Sequence, residues 1–260
     1  MKDELVEFNI HKFGNYPEDM IEKTRGIVLH QLKYTDSEIV VQLYTREYGR
    51  LSFLVRGMGS RKTGKHNVLF QPMFILDLEM YYKESREMQL IKEFSVYYSP
   101  ADIFSDIKKT SVAIFLGEVL TSILRQESPN EELFGFIEDS IIYFDKRIDN
   151  FANFHIAFLA GFSSYLGFEP RPRSGKDDLY FDMINGVFVT VPPLHGNYTN
   201  REISDILAAF FSTSYDKSMN ISLTGTQRNE VLELLVKYYS IHLPGLKKIR
   251  SLEVLKEVFG

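Results

Sequence analysis

At 260 residues the chain is long enough to bury a sizeable core in one or two domains. Its 44% hydrophobic and 25% charged content is ordinary for a globular protein. The absence of cysteine excludes a disulfide scaffold, a thiolate nucleophile and any cysteine-held zinc or iron–sulfur centre, and fits a reducing compartment. No apolar run approaches the ~20 residues of a membrane span, so a cytoplasmic protein with no membrane partner is expected. The formal net charge of -5 hides an asymmetry. Between Arg25 and Lys65 eight Arg or Lys stand against three Asp or Glu, so the remaining residues sum to -10. An acidic chain that gathers its cations in one small region has a candidate face for a polyanion.

Residues 1–20 are polar, aperiodic and interrupted by Gly14 and Pro17, and read as a loosely held extension upstream of the organised pattern, with Met20 close to its start. Gly26 to Tyr34 and Ser37 to Thr45 then read as paired strands, with Ile39, Val41 and Leu43 alternating against Val40, Gln42 and Tyr44. Arg50 to Arg56 alternates again, placing Leu51, Phe53 and Val55 on one face. Gly57 to Asn67 is a loop of Gly, Ser, Arg and Lys, and strands return at Pro72 to Tyr82 and Glu87 to Tyr98. Five short strands in about 75 residues predict a Greek-key barrel of the OB type over 21–98; an SH3-like barrel or a sandwich has a similar strand count.

At Ser99-Pro100 the period changes. Ser99 as N-cap, Pro100 at the first helical position and Asp102 behind them predict a helix start and a domain boundary, with 99–260 forming a helical domain. Ile103, Ile107, Val112, Phe115, Leu116, Val119, Leu120 and Ile123 carry the helical spacing. Further helices are expected from the start signal Ser128-Pro129-Asn130-Glu131 to about Lys146, from Phe151 to Leu166 with Gly167 ending it, from Thr199 with Glu202, from Thr224 with Gln227 to about Tyr239, and near Ser251. One β-hairpin interrupts them near 179–191, with Asn185-Gly186 as its turn. The fold class is therefore α+β: an N-terminal OB-type five-stranded barrel, then an all-helical C-terminal domain with an inserted hairpin.

Catalytic constellations are scarce. The six histidines, His11, His30, His66, His155, His195 and His242, are scattered without metal-ligand spacing. Gly57-Met58-Gly59-Ser60-Arg61-Lys62-Thr63-Gly64-Lys65 fails as a phosphate loop, because His66 follows Lys65 and a strand follows the loop. No metal, no cofactor and no catalytic residue is expected. The same loop suits an electrostatic arm, with Arg56, Arg61, Lys62 and Lys65 on a barrel rim and Arg25, Lys33, Arg46 and Arg50 enlarging the patch; a plain solvated loop is the alternative. Tyr34, Tyr44, Tyr48 and Phe53 are candidate stacking platforms, with Phe53 better suited to the barrel core. Arg171, Arg173 and Lys176 form a secondary basic island that also reads as a simple loop.

The order and spacing of these pieces resemble the RecO family of bacterial DNA repair proteins, in a form typical of Bacteroidetes-like bacteria. The resemblance rests on Thr24-Arg25-Gly26-Ile27-Val28-Leu29, on Tyr34-Thr35-Asp36-Ser37-Glu38-Ile39-Val40, and on Tyr48 to Gly57. It continues through Leu166-Gly167-Phe168-Glu169-Pro170, the Asn185-Gly186 hairpin, Tyr238 to Pro244 and Ser251-Leu252-Glu253-Val254-Leu255, spanning roughly 21–260. It implies a non-enzymatic recombination mediator with an OB domain and a helical domain. Such a protein binds single- and double-stranded DNA, anneals complementary strands, works with RecR and helps RecA replace the single-strand-binding protein. It also implies DNA contact by the Arg50 to Lys65 region and docking of the single-strand-binding protein on the helical part, at residues the sequence does not identify. The chain departs from many relatives in lacking a four-cysteine zinc site: Phe168 to Val191 has no Cys and no His/Asp cluster in its place, so packing of Tyr180, Phe181, Val187 and Phe188 is expected to hold the hairpin. Two alternatives stay open, an assembly adaptor whose barrel docks protein and a nucleic-acid enzyme.

Overall fold

The computed structural model describes residues 6–7, 21–56, 66–124 and 128–259. It divides into two compact units, Met1–Asp145 and Lys146–Gly260. The change from strand to helix falls where Ser99-Pro100 predicts it, while the first compact unit continues through three further helices. Among the described residues no helix is long and apolar enough to cross a membrane.

The first unit is built on an antiparallel sheet. Its strands are β1 (Val6–Glu7), β2 (Ile21–Lys33), β3 (Glu38–Thr45), β4 (Gly49–Arg56), β5 (Ile75–Tyr81) and β6 (Leu90–Tyr98), in the order β1-β6-β5-β2-β3-β4. The five strands expected from alternation are β2–β6. The sixth, β1, lies in the predicted extension and pairs Val6 with Phe94 and Glu7 with Glu93; the rest of 1–20 lies outside the described residues. Period-2 alternation aims Val41, Leu43, Phe53, Val55, Leu76, Leu78, Met80 and Phe94 at one interior, where they join Val28, Phe70 and Phe74 in a single buried cluster. The barrel is partly open, as in OB folds. Beyond β4, a parallel bridge from Phe53 to Gln89 supplies the closing contact, with Leu54 N donating to Gln89 O at 3.2 Å and Gln89 N to Ser52 O at 2.8 Å. Between β4 and β5 the described chain forms a 3-10 turn at His66–Phe70.

Three helices complete this unit: α1 (Ala101–Ser105), α2 (Ile107–Ile123) and α3 (Glu131–Lys146). The Ser99-Pro100 signal opens only the five-residue α1. The long helix starts at Asp106, whose side chain accepts from Lys108 N and Lys109 N, a cap the sequence reading passed over because two start signals stand seven residues apart. Helix α2 approaches β2 closely: a Cβ on Gly117 would lie 3.3 Å from the Leu29 carbonyl oxygen and 3.2 Å from Pro72. Asp145, at the end of α3, ties the helices to the sheet. It accepts from Tyr98 Oη and Ile103 N, both at 2.8 Å, and its carbonyl takes the buried Lys109 Nζ at 2.9 Å.

The second unit carries α4 (Phe154–Tyr165), the hairpin strands β7 (Tyr180–Asp182) and β8 (Val187–Val189), α5 (Arg201–Phe211), α6 (Tyr215–Met219), α7 (Gly225–His242) and α8 (Ser251–Phe259). Aromatic rings run through it: Phe158 and Phe162 of α4, then Tyr239 of α7, then Phe168, with centroids 4.9–6.2 Å apart. Thr224 and Gln227 form the expected capping box on α7. On α5 the cap is Asn200, which accepts from Ile203 N, while the expected cap Thr199 turns inward to Ser204 Oγ. The short α6 was not foreseen.

Candidate nucleic-acid interface

The barrel sorts the predicted cations into separate places. Arg25 lies on the outer face of β2, opposite Asp77 of β5. Its Nε donates to Asp77 at 2.8 Å, its Nη1 to Glu138 of α3 at 3.0 Å, and its guanidinium stacks 3.2 Å from the Tyr97 ring centroid. Burial opposes its charge, but the hydrogen bonds it donates to Asp77 and Glu138 hold its pKa above the ordinary value. Arg46 donates its Nη2 to the other oxygen of Glu138 at 3.0 Å and lies 5.0 Å over Phe134. One buried carboxylate thus clamps two arginines that sequence alone assigns to nucleic acid. Both are tied to the protein itself.

Lys33 lies at the other end of β2, about 25 Å from Arg25 along the strand. A register shift between Val28 and His30 puts Lys33 opposite Ile39, on the interior parity, where it leaves the barrel rim and pairs with Asp36 at 2.7 Å. Arg50 and Arg56 do share a face. They stand on the outer side of β4 with Ser52 and Leu54, opposite Tyr44, Gln42, Val40 and Glu38 of β3. Arg50 donates to Gln42 Oε1 at 3.3 Å, and Arg56 pairs with Glu38 at 2.7 Å while remaining 39% exposed. Arg61, Lys62 and Lys65 lie outside the described residues. The expected convergence of Arg25, Lys33, Arg46, Arg50 and Arg56 into one field is therefore corrected: carboxylates offset four of them, and they fall into three groups.

Between Arg50 and Arg56 the outer face is apolar at its centre. Leu32, Val40 and Leu54 sit opposite one another across β2, β3 and β4, and Leu32 is 51% exposed. Toward Arg50 this face is covered, because Tyr44 is fully buried with its ring 6.1 Å from Phe134 of α3. Tyr44 is therefore packing, as is Phe53 inside the barrel. Tyr48 stacks on Tyr82 at 4.5 Å, and burial, with Glu22 accepting its hydrogen bond, pushes its pKa up to about 12. Tyr34 is 61% exposed.

In the second unit Arg173 is held by Asp205 at 2.5 Å and stacks on Phe188 at 4.9 Å; Arg171 and Lys176 stay exposed. The hairpin is packed as expected, with Phe181 4.9 Å from Phe188 and 5.4 Å from Tyr238. It also has a polar anchor that the sequence reading missed. Asp182 accepts from Ile184 N, Asn185 N and Asn185 Nδ2, and meets His195 Nε2 at 3.3 Å. Burial favours its neutral form, but these hydrogen bonds hold its pKa below the ordinary carboxylate range. The signal lies in Asp182 followed three residues later by Asn185-Gly186; its link to His195 spans a loop. These residues do not fit zinc: the chain has no cysteine, the Asp182 oxygens are engaged by the turn, and among the described residues no three metal-ligating side chains cluster.

With that geometry in place, likeness to known proteins is informative. The family profile described as Recombination protein O N terminal matches residues 20–100, and its companion, Recombination protein O C terminal, matches 104–253. The chain belongs to the RecO family. Among relatives named DNA repair protein RecO, that of Phocaeicola vulgatus is 39% identical over 241 residues, covering 93% of this chain and 100% of the relative. That of Bacteroides fragilis is 36% identical, covering 92% and 100%, and that of Flavobacterium psychrophilum 34%, covering 92% and 99%. RecO membership places the chain in recombinational DNA repair; the first family segment covers strands β2–β6, and the second begins within α1 and ends within α8.

Proposed function

We propose that this RecO-family chain is a non-enzymatic, DNA-binding recombination mediator. It holds single- and double-stranded DNA by their backbones, anneals complementary strands and, with RecR, helps load RecA onto DNA covered by single-strand-binding protein. The observation that carries this proposal is full-length likeness to DNA repair proteins named RecO. Supporting it, the outer face of β4 carries Arg50 and Arg56 toward its two ends, and in sequence Gly57–Lys65 follows with three cations and no acid. The contact set is accordingly narrowed to Arg50, Arg56, Arg61, Lys62 and Lys65, with Lys33 at the rim. Neutralising phosphates on two strands lowers their repulsion and lets bases pair, which asks for no covalent step.

A salt titration tests this. Five phosphate contacts predict a slope of log K against log salt of about -3.5 on single strands and about -4.5 on duplex. Replacing Arg56, Arg61, Lys62 and Lys65 with Ala should flatten it by about three units while leaving the fold intact. Affinity independent of salt, or none at low salt, would favour a barrel that docks protein, a role to which the Leu32–Val40–Leu54 row is suited.

A further inference from the structure

Phosphate-directed cations treat single strands and duplex nearly alike, so a preference between them needs a side chain that meets an unpaired base. We propose that Tyr34 is that residue: the base-stacking platform that gives the β3–β4 face a preference for single-stranded nucleic acid. The proposal rests on that face being the nucleic-acid interface.

The other candidate rings of the barrel are taken. Tyr44 and Phe53 are fully buried, Tyr48 packs on Tyr82, Tyr98 donates to Asp145, and Tyr97 lies under the Arg25 guanidinium. Tyr34 is the most exposed tyrosine among the described residues. Its position is set. Tyr34 N donates to Glu38 O at 3.0 Å and Thr35 N to the same oxygen at 3.1 Å, so the β2–β3 turn is closed by hydrogen bonds. That pairing sets Tyr34 opposite Glu38, and Glu38 stands opposite Arg56. The alternation that turns Leu32 outward does the same for Tyr34. A row of Tyr34, Glu38 and Arg56 thus borders the row of Leu32, Val40 and Leu54. A base laid on the Tyr34 ring has an apolar shelf beside it and the Arg56 guanidinium across β3. In a duplex the base faces are already stacked, and the ring has nothing to meet.

The chain has no tryptophan, so Tyr34→Trp supplies a lone reporter. Its emission should be quenched on saturation with oligothymidylate and stay unchanged with duplex of equal length. Tyr34→Ala should weaken single-strand affinity roughly fivefold to a hundredfold at fixed salt, alter duplex affinity less than about twofold, and leave the salt slope as in the unmodified protein. Tyr34→Phe should retain binding. Unaltered single-strand affinity in Tyr34→Ala, or an unquenched Tyr34→Trp at saturation, overturns the assignment while the salt-dependent interface stands. No DNA affinity in the unmodified protein at low salt removes the interface and the assignment together.

Discussion

Glu138 is a single carboxylate with two guanidinium partners, and its burial decides what Arg25 and Arg46 do. Their charge is spent inside the fold, joining the Arg25 end of β2 and the β3–β4 turn to α3. Replacing Glu138 with Ala leaves two half-buried cations facing an apolar gap, at a cost of about 2 kcal/mol after discounting for their partial exposure. Urea unfolding should show that loss as a lowered midpoint, and Glu138→Gln, which keeps the shape and one acceptor, should lose less. The arginines were visible in the sequence; their partners were not. Asp77 is 52 positions from Arg25, and Glu138 is 113 from Arg25 and 92 from Arg46. A local charge tally treats such cations as free, because the offsetting acids arrive through tertiary structure. Arg56 and Glu38 were both inside the counted segment, and only the register showed that they face one another.

At the level of elements, strands were the easier half. Alternation between a packed interior and a wetter exterior leaves a period-2 trace, so β3–β6 were legible to within a few residues, and β2 only from Gly26, although it begins at Ile21. Helix ends were harder where Ser99, Asp106, Thr199 and Asn200 all offer capping chemistry, and only packing chooses among them. The hairpin shows both outcomes. Asn185-Gly186 was readable as its turn, and Gly186 has φ +63°. A Cβ there would lie 2.9 Å from Tyr238 Oη, which itself donates to Phe168 O at 2.6 Å. Gly186→Ala therefore combines left-handed strain with a displaced buried hydroxyl. It should destabilise the second unit by about 2–3 kcal/mol, read by thermal or urea unfolding. The Asp182 anchor was illegible because His195 reaches it through an irregular loop.

Across the whole molecule, charge that looked concentrated is redistributed by folding into internal ties around Glu138 and a separate pair, Arg50 and Arg56, on the outer side of β4. One buried group away from β4 gives stability a pH dependence of its own. His155 is fully buried, and burial, with Arg228 nearby, lowers its pKa from 6.5 to about 3. The folded chain keeps it neutral while the unfolded chain protonates it below pH 6.5. Stability should thus be insensitive to this group above that pH and fall by about 1.4 kcal/mol per pH unit on acidification toward pH 3. Chemical unfolding from pH 7.5 to 4.5 checks this. His155→Gln should flatten the slope, and a slope unchanged by that substitution would assign the acid sensitivity elsewhere.

The bridge at Gln89 has a mechanical consequence. Gln89 is buried, and its side chain fastens the β5–β6 loop by accepting from Lys83 N and donating to the carbonyls of Lys83 and Arg86. On its far side, two backbone hydrogen bonds and the inward rings and methyls of β4 are what the described barrel offers against that strand lifting away. Strand β4 is therefore the closing stave of the cask, clasped on one flank and fully laddered on the other. The arginines it carries share that stave with Phe53 and Val55, so any change that loosens the clasp uncovers the interior and disturbs the outer face together.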